Sequence, residues 1–347
     1  MKTLDPKKIT SIFKENKQSN LFGKWIRLQD IKENIEKCKK VFEVSSIGTS
    51  EEERPIYSIK LGNGEKKILI WTQMHGNEST GTKALFDVLH FFSEEGNPIV
   101  QAILSACTIL CIPMLNPDGA QRYTRVNANK IDLNRDAVDQ LAKESKLLRG
   151  ILEDFNPQFC FNLHDQRTIF GVENTKNPAT LSFLAPSEEI NRKITTGRKQ
   201  TMNVILAMNK LVQQILPNHI GRYTDEFYPT ATGDNFQKLG YNCILIESGH
   251  FYNDYEREKS REFTFYALLQ GIYHIATAEN FSDFEDYFNI PNNVERFFDV
   301  IERTSKKPIA YQYKDEIIDG EFTSKLEIIQ DFDANYRIGL NEIDFDS

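Results

Sequence analysis

The sequence predicts an α/β protein: a mixed, mostly parallel sheet sandwiched by helices, with a small β-rich appendage at the C-terminus. Three observations carry this reading. Apolar runs of strand length alternate with stretches whose apolar residues recur at helix spacing, the pattern of a sheet covered by helices on its faces. Three of those runs end in loops rich in His, Asn and Glu, the place where open α/β sheets keep their chemistry. Beyond about residue 281 the pattern changes: 308–313 and 325–330 alternate or run apolar around an Asp319-Gly320 turn. The expected organisation is an N-terminal helical extension (1–43), a catalytic domain (44–280) and a C-terminal appendage (281–347).

Taken in order, Ile9, Ile12 and Phe13 form one short apolar stripe and Ile31, Ile35, Cys38 and Phe42 another, predicting two scaffolding helices. Strands follow over 44–47 and 56–61, then a Gly62-Asn63-Gly64 turn and a buried strand over 67–73. Ala84, Leu85, Val88 and Leu89 share one face of a helix spanning 79–93. A strand over 108–114 leads to Asn116-Pro117-Asp118-Gly119, a composition that reads as a turn. A helix over 138–154 precedes the strand that ends at His164. Residues 171–187 read as a long surface loop, with Ser187 capping a helix that runs to about Leu216. After a loop over 221–234, the strand 243–246 delivers Glu247-Ser248-Gly249-His250, and a helix over 255–276 closes the domain.

Composition bounds the function. The 347 residues carry a net charge of −8 with no long Lys/Arg cluster, which argues against a nucleic-acid partner. No stretch has the length of a membrane span, and the first residues lack an apolar core of signal-peptide length. The expectation is a soluble, cytoplasmic chain without a secretory prosegment and without a membrane partner. The five cysteines are an odd number and sit in apolar runs, as reduced core residues do.

The chemistry starts at His75-Gly76-Asn77-Glu78, directly after the 67–73 strand. An imidazole and a carboxylate both suit a borderline cation such as zinc, and His164, at the end of a second strand, is the candidate third ligand. Two His and one carboxylate with a fourth position open is the composition of a hydrolytic zinc site. A segment with little apolar content follows Gly119. Its Arg122, Arg125 and Arg135, with Asn127, Asn129 and Asn134, are side chains that grip carboxylates with fixed geometry. Glu247 and His250 could form a metal pair of their own, but the first set already supplies three ligands. His90, His219 and His274 read as structural.

His75-Gly76-Asn77-Glu78, Asn116-Pro117-Asp118-Gly119, Arg125, Asp132-Leu133-Asn134-Arg135, His164 and Glu247 occur in an order that resembles the zinc carboxypeptidases of the carboxypeptidase A type. The likeness covers roughly residues 44–278. It implies one Zn²⁺ ion held by His75, Glu78 and His164, with Glu247 as general base on a metal-activated water. It also implies Arg125 at the oxyanion, with Arg122 as the weaker alternative, and Asn134 and Arg135 on the substrate's free carboxylate. Members often carry a mobile tyrosine, for which Tyr228 is the best match and Tyr223 the second. Asp234 would line the side-chain pocket and favour a basic residue, or else serve as a turn residue. The implied substrate is a peptide or small amide with a free carboxylate. The alternatives are an N-acyl amino acid deacylase of the aspartoacylase and succinylglutamate desuccinylase type and, third, a non-catalytic peptide-binding member.

Overall fold

A computed structural model describes residues 1–303, 308–329 and 337–344. Gln330 and the last three residues of the acidic tail lie outside the described residues. Helices α1 (Pro6–Asn16) and α2 (Lys32–Cys38) precede strands β1 (Glu43–Thr49), β2 (Pro55–Leu61) and β3 (Lys66–Thr72). Helices α3 (Thr80–Phe92) and α4 (Pro98–Ala106) lead to β4 (Cys107–Ile112), followed by α5 (Pro117–Arg122), α6 (Lys143–Phe155) and β5 (Phe159–Asp165). Next come β6 (Phe170–Val172), β7 (Leu181–Leu184), α7 (Thr196–Ile215), β8 (Ile220–Arg222), α8 (Thr232–Lys238), β9 (Asn242–Ser248) and α9 (Glu258–Thr277). The chain ends in β10 (Asn293–Glu295), β11 (Phe297–Arg303), β12 (Ile309–Ile318), β13 (Glu321–Ile329) and β14 (Ile338–Asp344).

Eight strands form the main sheet in the order β1-β2-β4-β3-β5-β9-β7-β8. Its centre, β4-β3-β5-β9, is parallel, while β1, β2 and β7 join antiparallel. Parallel strands need both faces covered, and β3 shows how: Ile68 and Ile70 enter one core with α1, α3, α7 and α9, whereas Leu69 and Trp71 enter a second with α6 and α8. The mixed, mostly parallel sheet between helices is the expected architecture. A separate four-stranded sheet, β13-β12-β11-β14, forms the β-rich C-terminal part.

The N-terminal helices belong to the main core, since Ile9, Ile12, Phe13, Ile31 and Ile35 are buried in the same cluster as α3 and α9. A buried ion pair ties them down. Arg261 on α9 grips both oxygens of Asp87 on α3, at 2.6 and 2.7 Å, while its guanidinium also donates to the Gln18 and Leu21 carbonyls.

Several local expectations need correction. Residues 98–106, to which the sequence reading assigned no element, form helix α4, begun by Pro98 at its first position and capped by Asn97, whose side chain accepts from the Ile99 N–H. Asn-Pro-Asp-Gly is a helix start: Asn116 Oδ1 accepts from the Gly119 N–H at 2.8 Å and opens α5. The 171–187 loop contains β6 and the fully buried β7. The helix expected to start at Ser187 starts after Thr195, whose hydroxyl accepts from the Arg198 N–H, while Ser187 donates to the Asp225 carbonyl. Part of the 221–234 loop is α8.

Candidate metal centre and substrate cavity

Strands β3, β5 and β9 are adjacent and parallel, so their C-terminal ends lie side by side. His164 and Glu247 pair directly in the β5–β9 ladder. Side chains alternate across a strand, so Asn162 and His164 on β5 and Leu245 and Glu247 on β9 share one face. These four residues are the floor of a cavity of about 430 Å³ that His75 and Glu78 also line. Its lip comes from Arg125, Asn134, Arg135, Tyr223, Glu226, Tyr228 and Asp234. Every residue expected at the site therefore reaches one cavity, with the exception of Arg122. That side chain is in a surface ion pair with Glu52 and donates to the Asp118 carbonyl.

Two loops hold the His75 turn. A Cβ on Gly76 would lie 1.9 Å from the Gly119 backbone, so the His75–Glu78 loop and α5 touch main chain to main chain. Asn116 fastens the contact by donating to the Met74 carbonyl at 3.1 Å. Asp118 in turn accepts from Ser50, Arg54 and the Glu52 N–H and pins the β1–β2 turn. The Asn-Pro-Asp-Gly segment is thus a brace behind the site.

The donors converge. Glu78 Oε1 is 2.8 Å from His75 Nδ1, and Oε2 is 2.8 Å from His164 Nδ1. The two Nδ1 atoms are 3.1 Å apart. Asp132 stands at the far side of His75, with Oδ1 3.1 Å from Nε2. A carboxylate can only accept, so Nε2 carries a proton toward Asp132, while Nδ1 is the atom that faces His164 and Glu78. Lone pairs facing one another at this distance repel unless a proton or cation lies between them. The donor set, two imidazoles and one carboxylate within 4.8 Å of one another, fits a metal ion of zinc's preference. Burial pushes the Glu78 carboxyl up, but the two histidines outweigh it and hold it well below the ordinary carboxylate range.

Asp132 is the residue at the candidate site that sequence reasoning passed over. It fixes the His75 ring, accepts from Arg125 Nε at 2.9 Å, and caps the 3-10 turn Leu133–Arg135 through the Asn134 N–H. A partner on the outer nitrogen sets a ligand's tautomer and orientation. The available signal was an Asp opening the Asp-Leu-Asn-Arg run.

Charge around the floor is graded. Burial, then repulsion from Glu78 and Asp165, raises the Glu247 carboxyl well above its usual value, with Arg125 and Arg257 opposing. Arg125 Nη1 lies 3.3 Å from His75 Nδ1 and 3.4 Å from Glu78, beside the candidate metal-ligand cluster. Asn134 receives the Thr232 N–H, and the Arg135 guanidinium lies 5.9 Å over the Tyr228 ring. Tyr228 is exposed and bonded to Glu226, whereas burial and the Glu247 charge hold the Tyr223 hydroxyl above its normal range. Asp234 is in α8, not in a loop; it accepts from the Tyr228 N–H, and burial lifts its carboxyl to about 6. His90, His219 and His274 are each held by ordinary side-chain or backbone partners. The five cysteines are buried and free.

A second cavity, of about 330 Å³, adjoins the first at Glu78 and Arg125, and its outer wall is the C-terminal sheet.

Residues 28–192 match the zinc carboxypeptidase family model. Carboxypeptidase SOL1 of Arabidopsis thaliana is 25% identical over 182 residues, 47% of this chain and 37% of that protein. Carboxypeptidase D of Mus musculus is 31% identical over 138 residues, 35% of this chain and 10% of the relative. The match thus spans little more than a third of the first relative's length and a tenth of the second's. A metallo-carboxypeptidase from Burkholderia cenocepacia shares the fold, with a TM-score of 0.59 at 18% identity over 72% of this chain and 69% of that one. No helix among the described residues is long and apolar enough to cross a membrane. Over residues 28–192 the chain is similar to the zinc carboxypeptidase family, whose members use one catalytic zinc, and its His75, Glu78 and His164 form a site that could bind a metal.

Proposed function

We propose that this chain is a metallocarboxypeptidase that hydrolyses the last amide bond of peptides ending in a free carboxylate. One observation carries the reading: His75, Glu78, His164 and Glu247 line one cavity whose lip holds Asn134 and Arg135. Zinc held by His75, Glu78 and His164 would supply Lewis-acid chemistry, polarising the scissile carbonyl and easing deprotonation of water. Glu247 takes the proton from the attacking water and returns it to the departing amine; its raised carboxyl suits both halves of that exchange. Arg125 places its charge beside the reacting carbon, where a cavity poor in water makes it count. Asn134 and Arg135 hold the terminal carboxylate, Tyr223 and Tyr228 border the same space, and Asp234 with Glu226 favours a basic or amine-bearing terminal side chain. Action in a reducing, cytoplasmic setting is part of the proposal, and the free buried cysteines support it. A second reading, hydrolysis of N-acyl amino acids by the same residues, is favoured by the wall beside Glu78 and Arg125.

The test is mass spectrometry of products after the zinc-loaded protein meets peptides, peptidoglycan fragments and N-acyl amino acids. Loss of single residues from free C-termini is the expected result, and cleavage of acyl amino acids alone selects the second reading. Glu247→Gln lowers turnover by about 10²–10⁴-fold and keeps its zinc, whereas His164→Ala loses both. Full activity in Glu247→Gln overturns the mechanism.

A further inference from the structure

We infer that strand β12 of the C-terminal sheet walls an acyl-side subsite, restricting the chain to terminal amino acids that carry a short, polar acyl part. The inference rests on the hydrolase reading above. Asn134 and Arg135, the carboxylate grip, lie in the 430 Å³ cavity. The 330 Å³ cavity meets it at Glu78, Arg125 and Asp165, on the other side of the proposed reaction centre. Whatever precedes the scissile bond must therefore enter the second space.

That space ends against residues far away in sequence. Gln312, Tyr313 and Asp315 of β12, with Asp299 of β11, face Glu78 and Arg125 across it. The wall is fastened. Lys24 pairs with Asp315, and both side chains are largely buried, at 14% and 19% exposure. The Tyr313 ring packs edge-on against Tyr255 at 4.8 Å, and Tyr123 against Phe322 of β13 at 5.0 Å. Asp299 is buried and accepts from the Tyr313 N–H at 2.8 Å, so the strand cannot slide without uncovering a carboxylate. The lining carries amide and charged side chains, Asn77, Gln166, Gln312 and Asp299 among them, beside the rings of Tyr123, Tyr255 and Tyr313. A space of 330 Å³ is roughly 7 Å across, the reach of about two extended residues. Short peptides and N-acyl amino acids share this chemistry.

The experiment is a series of peptides ending in lysine, and in parallel phenylalanine, with one, two, four and eight residues before the last, plus the N-acetyl amino acids. Calorimetry measures their binding to zinc-loaded Glu247→Gln, and product analysis measures turnover by the wild-type chain. Affinity should fall about tenfold beyond two preceding residues, and Tyr313→Ala should relieve that loss; Lys24→Ala, from the opposite side of the latch, should do the same. Binding that does not depend on length, no binding of the short members, or loss unrelieved in folded variants of both kinds would sink the wall. Length-dependent binding without cleavage by the wild type would instead refute the hydrolase reading and leave the wall standing. Tight acetyl amino acids beside weak dipeptides would assign the subsite to an acyl group, and the reverse to a peptide.

Discussion

The two large sheets of this chain use the same backbone pattern for different ends. In the eight-stranded sheet, Ile68 to Trp71 are fully buried and pack alternately against two helical layers. In the four-stranded sheet, Phe298, Ile301 and Ala310 form a small buried cluster among the described residues, while Leu326 and Ile328 of β13 are exposed. The first sheet is stabilised by its own core. The second is held to the molecule by Lys24–Asp315, the edge-on Tyr255–Tyr313 and Tyr123–Phe322 ring pairs and a buried aspartate, and it contributes a boundary instead of a core. A sheet with little core of its own is free to be shaped by what it must enclose.

The contrast can be broken at its strongest point first. Asp87→Ala removes the fully buried carboxylate that grips Arg261, leaving the guanidinium only Glu258 at 3.2 Å and two main-chain carbonyls, and should cost about 3–5 kcal/mol, read as a fall in the chemical-denaturation midpoint of the main domain. An unchanged midpoint would mean that Glu258 and the Gln18 and Leu21 carbonyls satisfy Arg261 without Asp87. Asp132→Asn should leave folding intact but weaken zinc binding about 10–100-fold, measured by competition with a chelator. Equal affinity would show that Asp132 does not orient His75. Least of all, Leu326→Ser on the exposed face of β13 should move stability by no more than about 0.5 kcal/mol; a larger loss would reveal that this face is covered in solution.

How much of this could be read from the residues alone depended on local signal strength. Strand β3 announces itself through a buried apolar run, and the His75 and His164 positions follow from the ends of two such runs. Strand β7 is Leu-Ser-Phe-Leu, too short to show a period, and buried on both sides it looks like loop. Helix α8 has one large apolar residue, Phe236, packed edge-on against Trp71, so its amphipathicity is invisible until Trp71 is in place. Asp132 and Arg122 show the same limit at the site: their roles are decided by His75, 57 residues away, and by Glu52, 70 away. The wall built by β12 required the longest reach, from Asp315 back to Lys24 across 291 positions.

The pairing of His164 with Glu247 in the β5–β9 ladder has a further consequence. Their spacing is a lattice constant of the sheet, set by main-chain hydrogen bonds of strands whose amides should be among the slowest to exchange in the protein. A one-residue slip of either strand would turn its own side chain to the opposite face and separate the pair, so no intermediate geometry is available to them. Heat should therefore switch this pair off in a single step coincident with global unfolding, while the Tyr228 lip, exposed and outside the ladder, loosens at lower temperature.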